Sequence, residues 1–420
     1  MAIEELYKIY IQHPTICTDS RKITKGCLFF ALKGDNFDGN TFVKQALEQG
    51  AKYAISDDPI FSSNNHCIVV DDVLETLQLL ANYHRKQYNI PVLALTGSNG
   101  KTTTKELCRE VISKKFRTFA TTGNLNNHIG VPLTILSTTK DVEFLIVEMG
   151  ANHQEEIDDL CRVAEPSHVM ITNIGKAHLE GFGGVEGIKK GKSEMYRYAS
   201  AHHAQIFINT EDDVLMSLLP KESATIPYAA QKVVSIIKEE PFLTFKYKDQ
   251  LIQSQLYGAY NLPNIAFAIV LGEFFNIATS DIIEALASYI PENNRSQMAK
   301  IGTNTIIKDA YNANPSSMRL SIQSFAKLNT TNKLLILGDM LELGDQAAVE
   351  HSEIIQLTRQ LGLDKVLFIG PHFYSVKSND HGLYFLNVET AKKHFDTLTL
   401  EHTSILLKGS RGIAVEKILF

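Results

Sequence analysis

Cysteine is scarce and unpatterned in this chain. Its five cysteines (Cys17, Cys27, Cys67, Cys108 and Cys161) form no C-x-x-C pair. That disfavours a zinc centre or a disulfide framework and fits a reducing, cytoplasmic setting with mostly buried thiols. No apolar stretch approaches the ~20 residues that a bilayer-spanning helix needs. The opening residues Met1-Ala2-Ile3-Glu4-Glu5 carry two acids and no long apolar core, so a signal peptide is not expected. There is no polybasic run, and the formal net charge is −6, so neither nucleic acid nor an anionic membrane is expected as the partner. Low-complexity tracts and internal repeats are also missing. What remains is an ordinary globular composition, and 420 residues are too many for one core, so two or three domains are expected.

The most informative stretch that is present runs over 95–104, Leu-Thr-Gly-Ser-Asn-Gly-Lys-Thr-Thr-Thr. The apolar run 92–95 predicts a buried strand, Gly97 and Gly100 a tight turn, and 102–114 a helix. Such a junction aims backbone N–H groups at one spot, where the helix dipole adds about half a positive charge. Lys101 would bring a full charge toward the outer phosphates of a nucleotide, and the Thr102 hydroxyl could hold Mg²⁺. Leu95 stands where the general phosphate loop has its first glycine, so an ordinary strand-to-helix turn is the alternative.

Three blocks follow from the pattern: 1–88, 89–294 and 295–420. The first alternates short strand-like runs at 27–32 and 67–70 with helical patterns at 41–50 and 72–87, and 89–91 reads as a linker. The second has buried-strand candidates at 144–147, 169–172 and 205–208 with helices between, the alternation of a parallel sheet. Residues 241–257 alternate aromatic and polar side chains, predicting an antiparallel hairpin at the sheet edge. A helix over 281–290 is expected, with Asp281 as its cap, followed by a hinge at 291–294. The third block repeats the α/β alternation, with strands near 305–308, 334–337, 366–369 and 405–407.

Several polar residues stand where such a fold gathers ligands. Glu148 ends the apolar strand 144–147, and carboxyl ends of strands line the crevice of open α/β sheets. It reads as a Mg²⁺ ligand or, more plainly, a solvated strand end. His178 follows another strand end, although a lone histidine is usually structural. Lys192 has no pattern beyond that of a solvated helix lysine. Asp309-Ala310-Tyr311-Asn312-Ala313-Asn314-Pro315 suits recognition of ribose hydroxyls and amides, or is an asparagine-rich turn. Arg295, at the hinge, reaches either a phosphate or solvent. The polar clusters at 18–22 and 32–39 are loops, or one pocket for an anionic ligand.

Taken together these segments resemble the Mur ligases of peptidoglycan synthesis. The loop Thr96-Gly97-Ser98-Asn99-Gly100-Lys101-Thr102-Thr103 is similar to that family's own shortened phosphate loop. In order come Thr122-Gly123-Asn124-Leu125-Asn126-Asn127, Glu148-Met149-Gly150-Ala151-Asn152, the 309–315 segment, Leu337-Gly338-Asp339-Met340-Leu341-Glu342-Leu343-Gly344 and Lys408-Gly409-Ser410-Arg411. The Asn-Leu-Asn-Asn, Tyr-Asn-Ala-Asn-Pro and Leu-Glu-Leu-Gly segments are most specific to the member that adds D-Ala-D-Ala to UDP-MurNAc-tripeptide.

The resemblance implies an α/β protein of three domains: a small UDP-sugar domain, a central mononucleotide-binding parallel sheet and a Rossmann-like C-terminal domain. It implies ATP and Mg²⁺ as cofactors and a cytoplasmic monomer. Catalysis would fall to Lys101, Glu148, His178 and Lys192. Thr102, Glu148, His178 and a carbamylated Lys192 would serve the metal ions. Nucleotide would be held by Gly97, Ser98, Asn99, Gly100, Lys101, Thr102, Thr103, Asn261, Arg295, Asp309, Tyr311 and Asn312. Ser20, Arg21, Gly34, Asp35, Asp38, Gly39, Asn124, Asn126, Asn127 and Asn314 would hold substrate. Three positions depart from the family pattern: Tyr260 and Asn40 each replace a usual histidine, and Asn294 replaces the glycine before Arg295. The rival readings are another amino-acid ligase of the same fold, a neighbouring Mur-type enzyme or folylpolyglutamate synthetase, or a non-catalytic, nucleotide-gated UDP-sugar-binding regulator.

Overall fold

The apolar runs become three α/β units, each built on its own sheet, in a computed structural model that describes residues 1–292 and 294–419. The first sheet is parallel, in the order Ile16–Cys17, Leu28–Phe30, Tyr53–Ser56, Cys67–Val69. The helix Val73–Arg85 leaves it, capped by the Asp72 carboxylate on the Glu75 N–H. Its buried face, with Leu77 and Leu80, joins one apolar cluster that runs from Leu28 and Phe30 of the first sheet to Val92 and Val147 of the second. Burial thus welds the first two units across the linker.

The central sheet is six-stranded and parallel, in the order Thr225–Tyr228, Gln205–Asn209, His168–Ile171, Val92–Thr96, Phe144–Glu148, Thr118–Ala120. Val92–Thr96 is buried on both faces, which is why it reads as an unbroken apolar run. The chain leaves this strand toward one edge and later returns to its other side at His168–Ile171. The carboxyl ends of these neighbouring strands therefore open onto a topological switch point.

The third sheet is ordered Gln297–Ile301, Asn304–Lys308, Thr403–Lys408, Asn332–Gly338, Val366–Ile369, Leu383–Phe385. Only its first pair is antiparallel. Among the described residues no helix is long and apolar enough to cross a membrane.

Two local expectations are corrected. The segment expected as an edge hairpin forms its own three-stranded antiparallel sheet, Ser235–Lys238, Thr244–Tyr247 and Gln250–Gln253. Phe245, Tyr247 and Ile252 point into the same cluster as the helix Leu262–Phe274. Side-chain burial rather than edge hydrogen bonding attaches it. The next helix spans Thr279–Ser288 with Ala278 at its cap, and Asp281 lies in the first turn, where its charge still suits the dipole. In the expected hinge, Asn293 lies outside the described residues. Asn294 adopts φ +56°, the left-handed region that favours glycine and that asparagine tolerates best among other residues.

Candidate active site

The strand Val92–Thr96 delivers the glycine loop to the switch point, and the helix Lys101–Ile112 starts directly after Gly100. Two glycines are required. Gly97 has φ +142°, and a Cβ there would meet the Thr172 Oγ1 at 1.9 Å. Gly100 has φ +80°, and its Cβ would meet the Asn264 Oδ1 at 2.8 Å. The loop is braced from the neighbouring strand end. The Ser98 hydroxyl donates to the Gly175 carbonyl (3.0 Å), and the Asn99 carbonyl accepts from Thr172 Oγ1 (2.6 Å) and Asn173 Nδ2 (2.9 Å).

Lys101 turns back onto its own loop, with Nζ 2.7 Å from the Gly97 carbonyl. Burial pulls its pKa down, the Glu148 charge opposes this, and the nearby Arg295 adds to it. Glu148 ends Phe144–Glu148, buried at 1% exposure. Its Oε1 accepts from Thr102 Oγ1 (3.1 Å) and Asn126 Nδ2 (2.9 Å), while Oε2 has no partner. An uncompensated buried carboxylate oxygen is costly unless a cation joins it. Beside a threonine hydroxyl it is a hard-oxygen donor set that fits Mg²⁺. Among the described residues no three His, Cys, Asp or Glu side chains gather as a metal cage. Mg²⁺ characteristically takes few protein ligands and completes its shell with water and phosphate oxygens.

A cavity of about 670 Å³ opens above the loop, lined by residues of all three units. The central unit contributes Ser98 to Thr103, the asparagines Asn124, Asn126 and Asn127, Glu148, His178 and Asn261; the third contributes Arg295, Asp309, Tyr311, Asn312 and Asn314. The first unit reaches it only through Gln78 on the helix Val73–Arg85.

The comparisons with known proteins agree along the chain. Residues 14–85 match "Mur ligase family, catalytic domain", 95–272 match "Mur ligase middle domain" and 294–411 match "Mur ligase, glutamate ligase domain". The UDP-N-acetylmuramoyl-tripeptide–D-alanyl-D-alanine ligase of Bacillus subtilis is 34% identical, over 96% of this chain and 92% of its own length. The chain belongs to the Mur ligase family. The Escherichia coli protein of the same name is 32% identical, over 99% of this chain and 95% of its own. Among solved structures, MurF from Acinetobacter baumannii superposes with a TM-score of 0.86 at 30% identity, over 96% of this chain and 92% of that one. MurF from Thermotoga maritima, in complex with ADP, superposes at 0.85 with 28% identity, over 96% of both chains.

In this Mur ligase the expected residues divide into those the tertiary structure gathers and those it does not. Asp309 holds the Lys408 ammonium at 2.6 Å and accepts from the Ser296 N–H. The Arg295 guanidinium lies 3.7 Å from the Tyr311 ring centroid, and its Nε is buried without a partner. Asn261 lines the cavity as a buried side chain, donating to the Tyr257 carbonyl (2.8 Å) and accepting from Asn264 (3.0 Å). Tyr260 fills the usual histidine's place with its hydroxyl 2.9 Å from Ser296 Oγ. Asn40 fills the other, buried between the Asp57 carboxylate and the Ser56 hydroxyl.

His178 faces the cavity, but its Nδ1 is hydrogen-bonded to Glu342 of the third unit. Lys192 is not on the cavity wall. It is fully buried, its Nζ is unpartnered, and the Phe182 ring centroid lies 5.2 Å away. Desolvation, aided by the Lys101 charge, lowers its pKa well below that of an ordinary lysine. Asn314 has protein partners for both polar atoms. Its oxygen caps the helix Pro315–Ala326 and its amide donates to Asn99.

The 18–22 and 32–39 segments do not reach the cavity. Arg21 is exposed and forks onto Asp19, holding that carboxyl at about 2, and Asp38 caps its own turn through the Asn40 N–H. Ser20 begins a short 3-10 turn, and Gly34, Asp35 and Gly39 belong to or border a small exposed hairpin. Sequence reasoning missed Gln78, Lys408 and Glu342 as parts of this site. Glu342 and Lys408 lay inside quoted motifs without a role, and Gln78 carried no local signal.

Proposed function

We propose that this Mur ligase joins D-alanyl-D-alanine to UDP-N-acetylmuramoyl-tripeptide at the expense of ATP, as a cytoplasmic monomer, in peptidoglycan synthesis. The observation that carries this reading is one cavity in which a phosphate loop, a carboxylate with a free oxygen and a second α/β unit converge. Near full-length likeness to relatives named for this reaction supports the choice of substrates.

The terminal carboxylate of the tripeptide is a poor electrophile. Transfer of the γ-phosphoryl group to it gives an acyl phosphate and ADP. The dipeptide amine then attacks the carbonyl carbon, and collapse of the tetrahedral intermediate forms the amide and expels phosphate. Loop N–H groups at the start of Lys101–Ile112 and the Lys101 charge suit the nucleotide phosphates, since the first step brings two anions together. Glu148 and Thr102 would hold Mg²⁺, which when bound neutralises that repulsion. His178, its Nδ1 fixed by Glu342, keeps Nε2 for the site. The partnerless, deprotonation-prone Lys192 amine suits carbamylation, in which it adds CO₂ and loses a proton. The first unit, with its 18–22 and 32–39 loops, would take the UDP-sugar outside the cavity.

The test is phosphate release with ATP, Mg²⁺, UDP-MurNAc-tripeptide and D-Ala-D-Ala, each omitted in turn. Release should need both substrates and yield a pentapeptide by mass. Release indifferent to D-Ala-D-Ala would refute the assignment of that amine.

A further inference from the structure

The amine substrate of the proposed reaction carries its own carboxylate at the far end from the nucleophile. That anion enters a site already holding nucleotide phosphates and an acyl phosphate, so a cation apart from the phosphate set must receive it. Most cations near the cavity are committed. Lys101 sits on the Gly97 carbonyl within the field of Glu148. Lys408 is paired with Asp309, and Lys176 is paired with Glu350 at 2.5 Å. Arg295 is stacked on Tyr311 and lines the cavity together with Lys101 and the glycine loop, and the ligase reading places it with the phosphates.

Among the described residues no carboxylate pairs with Arg411 or with Arg295, and the Arg411 guanidinium lies 5.2 Å from the centroid of the same Tyr311 ring. The loop that bears it is pinned to both neighbouring loops of the third unit. Ser410 donates its hydroxyl to the Ala313 carbonyl (3.2 Å) and its N–H to the Asp339 carbonyl (3.0 Å), and its Oγ accepts from the Leu341 N–H (2.9 Å). Tyr311 and Leu341 both line the cavity. Arg411 is thus an exposed arginine on a braced loop, outside the cavity wall itself and next to it through Tyr311, with its fork unspent.

We propose that Arg411 receives the carboxylate of the incoming dipeptide, while Arg295, which neighbours the same Tyr311 ring, serves the phosphates. The planar fork of a guanidinium matches a carboxylate bidentately, which an ammonium does not. This inference rests on the ligase reading above and identifies the group that selects its amine substrate.

The experiment compares D-Ala-D-Ala with D-alanyl-D-alaninamide, which keeps the amine and loses the anion, in the wild-type chain and in Arg411→Gln. The wild type should use the carboxamide with kcat/KM lower by about 10- to 100-fold, the range of a charge-assisted pair. Arg411→Gln should raise KM for D-Ala-D-Ala by a similar factor and use both dipeptides alike. Its KM for ATP and for UDP-MurNAc-tripeptide should stay within about twofold, as expected for a residue apart from those sites. Arg411→Lys should recover only part of the preference. A wild type that uses both dipeptides equally overturns the proposal whatever the variants do, as does a preference undiminished in Arg411→Gln. Failure of the ligase reading would look different, with no product from either dipeptide in the wild type.

Discussion

Asn314 donates its side-chain N–H to the side-chain oxygen of Asn99 at 2.7 Å, tying the third unit directly to the phosphate loop. The same Asn314 caps a helix through its oxygen, accepting from the Ser317 N–H at 2.9 Å. One side chain thus caps a helix and joins the third unit to the glycine loop.

These two roles separate by substitution. Asn314→Ser keeps a good cap but is too short to reach Asn99, so its melting temperature should change little while KM for ATP rises severalfold. Asn314→Ala should lose both, with about 1 kcal/mol of stability gone. Melting curves alongside ATP titrations decide it; an unchanged KM for ATP in the serine variant would show that the contact to the glycine loop has no part in nucleotide binding.

Glu148→Gln keeps an oxygen for Thr102 and Asn126 and removes the charge of a buried carboxylate whose other oxygen has no hydrogen-bond partner. Stability should hold or improve, whereas the Mg²⁺ concentration for half-maximal turnover should rise at least tenfold. A Mg²⁺ titration identical to wild type would rule out Glu148 as a metal ligand.

Lys192→Met replaces a fully buried, partnerless amine with an apolar chain of similar length. We expect equal or higher thermal stability, since no hydrogen bond is lost and the amine's desolvation is relieved. Turnover should disappear, and in Lys192→Ala a small added carboxylate should restore part of it. Full turnover by the unsupplemented variants would show that the amine has no part in the reaction.

Acid should weaken the fold through His168, which packs among Phe207, Phe274 and Phe275. Desolvation lowers its pKa from 6.5 to about 4. The unfolded chain therefore binds more protons than the folded one between those values. Stability is complete above pH 6.5 and falls as the pH drops toward 4, by on the order of 3 kcal/mol at most. His168→Phe should flatten that part of the stability–pH curve in denaturant melts at pH 4.5 and 7.5. An unaltered difference between the two pH values would acquit this histidine.

Much of the framework was legible because its signals are local. The run 92–95, the two glycines and the helix after them are contiguous, and the sterics of φ and the burial of a central strand act within a few residues. The departure at Asn294 could likewise be noticed in the chain, and its φ of +56° gives the physical reason that glycine is usual there. The three-stranded sheet over 235–253 was misread because alternation reveals a half-buried strand but not which surface covers it.

The sequence by itself determined the strand–glycine turn–helix junction, the α/β alternation and the family, since all three are written in contiguous motifs. Only the tertiary structure decided which of the charged and polar residues are free to act. Asn99 and Asn314 are 215 positions apart, His178 and Glu342 164, and Lys192 looks like any surface lysine until packing removes its water. Partnership and desolvation are properties of the packed whole, and no short-range pattern carries them.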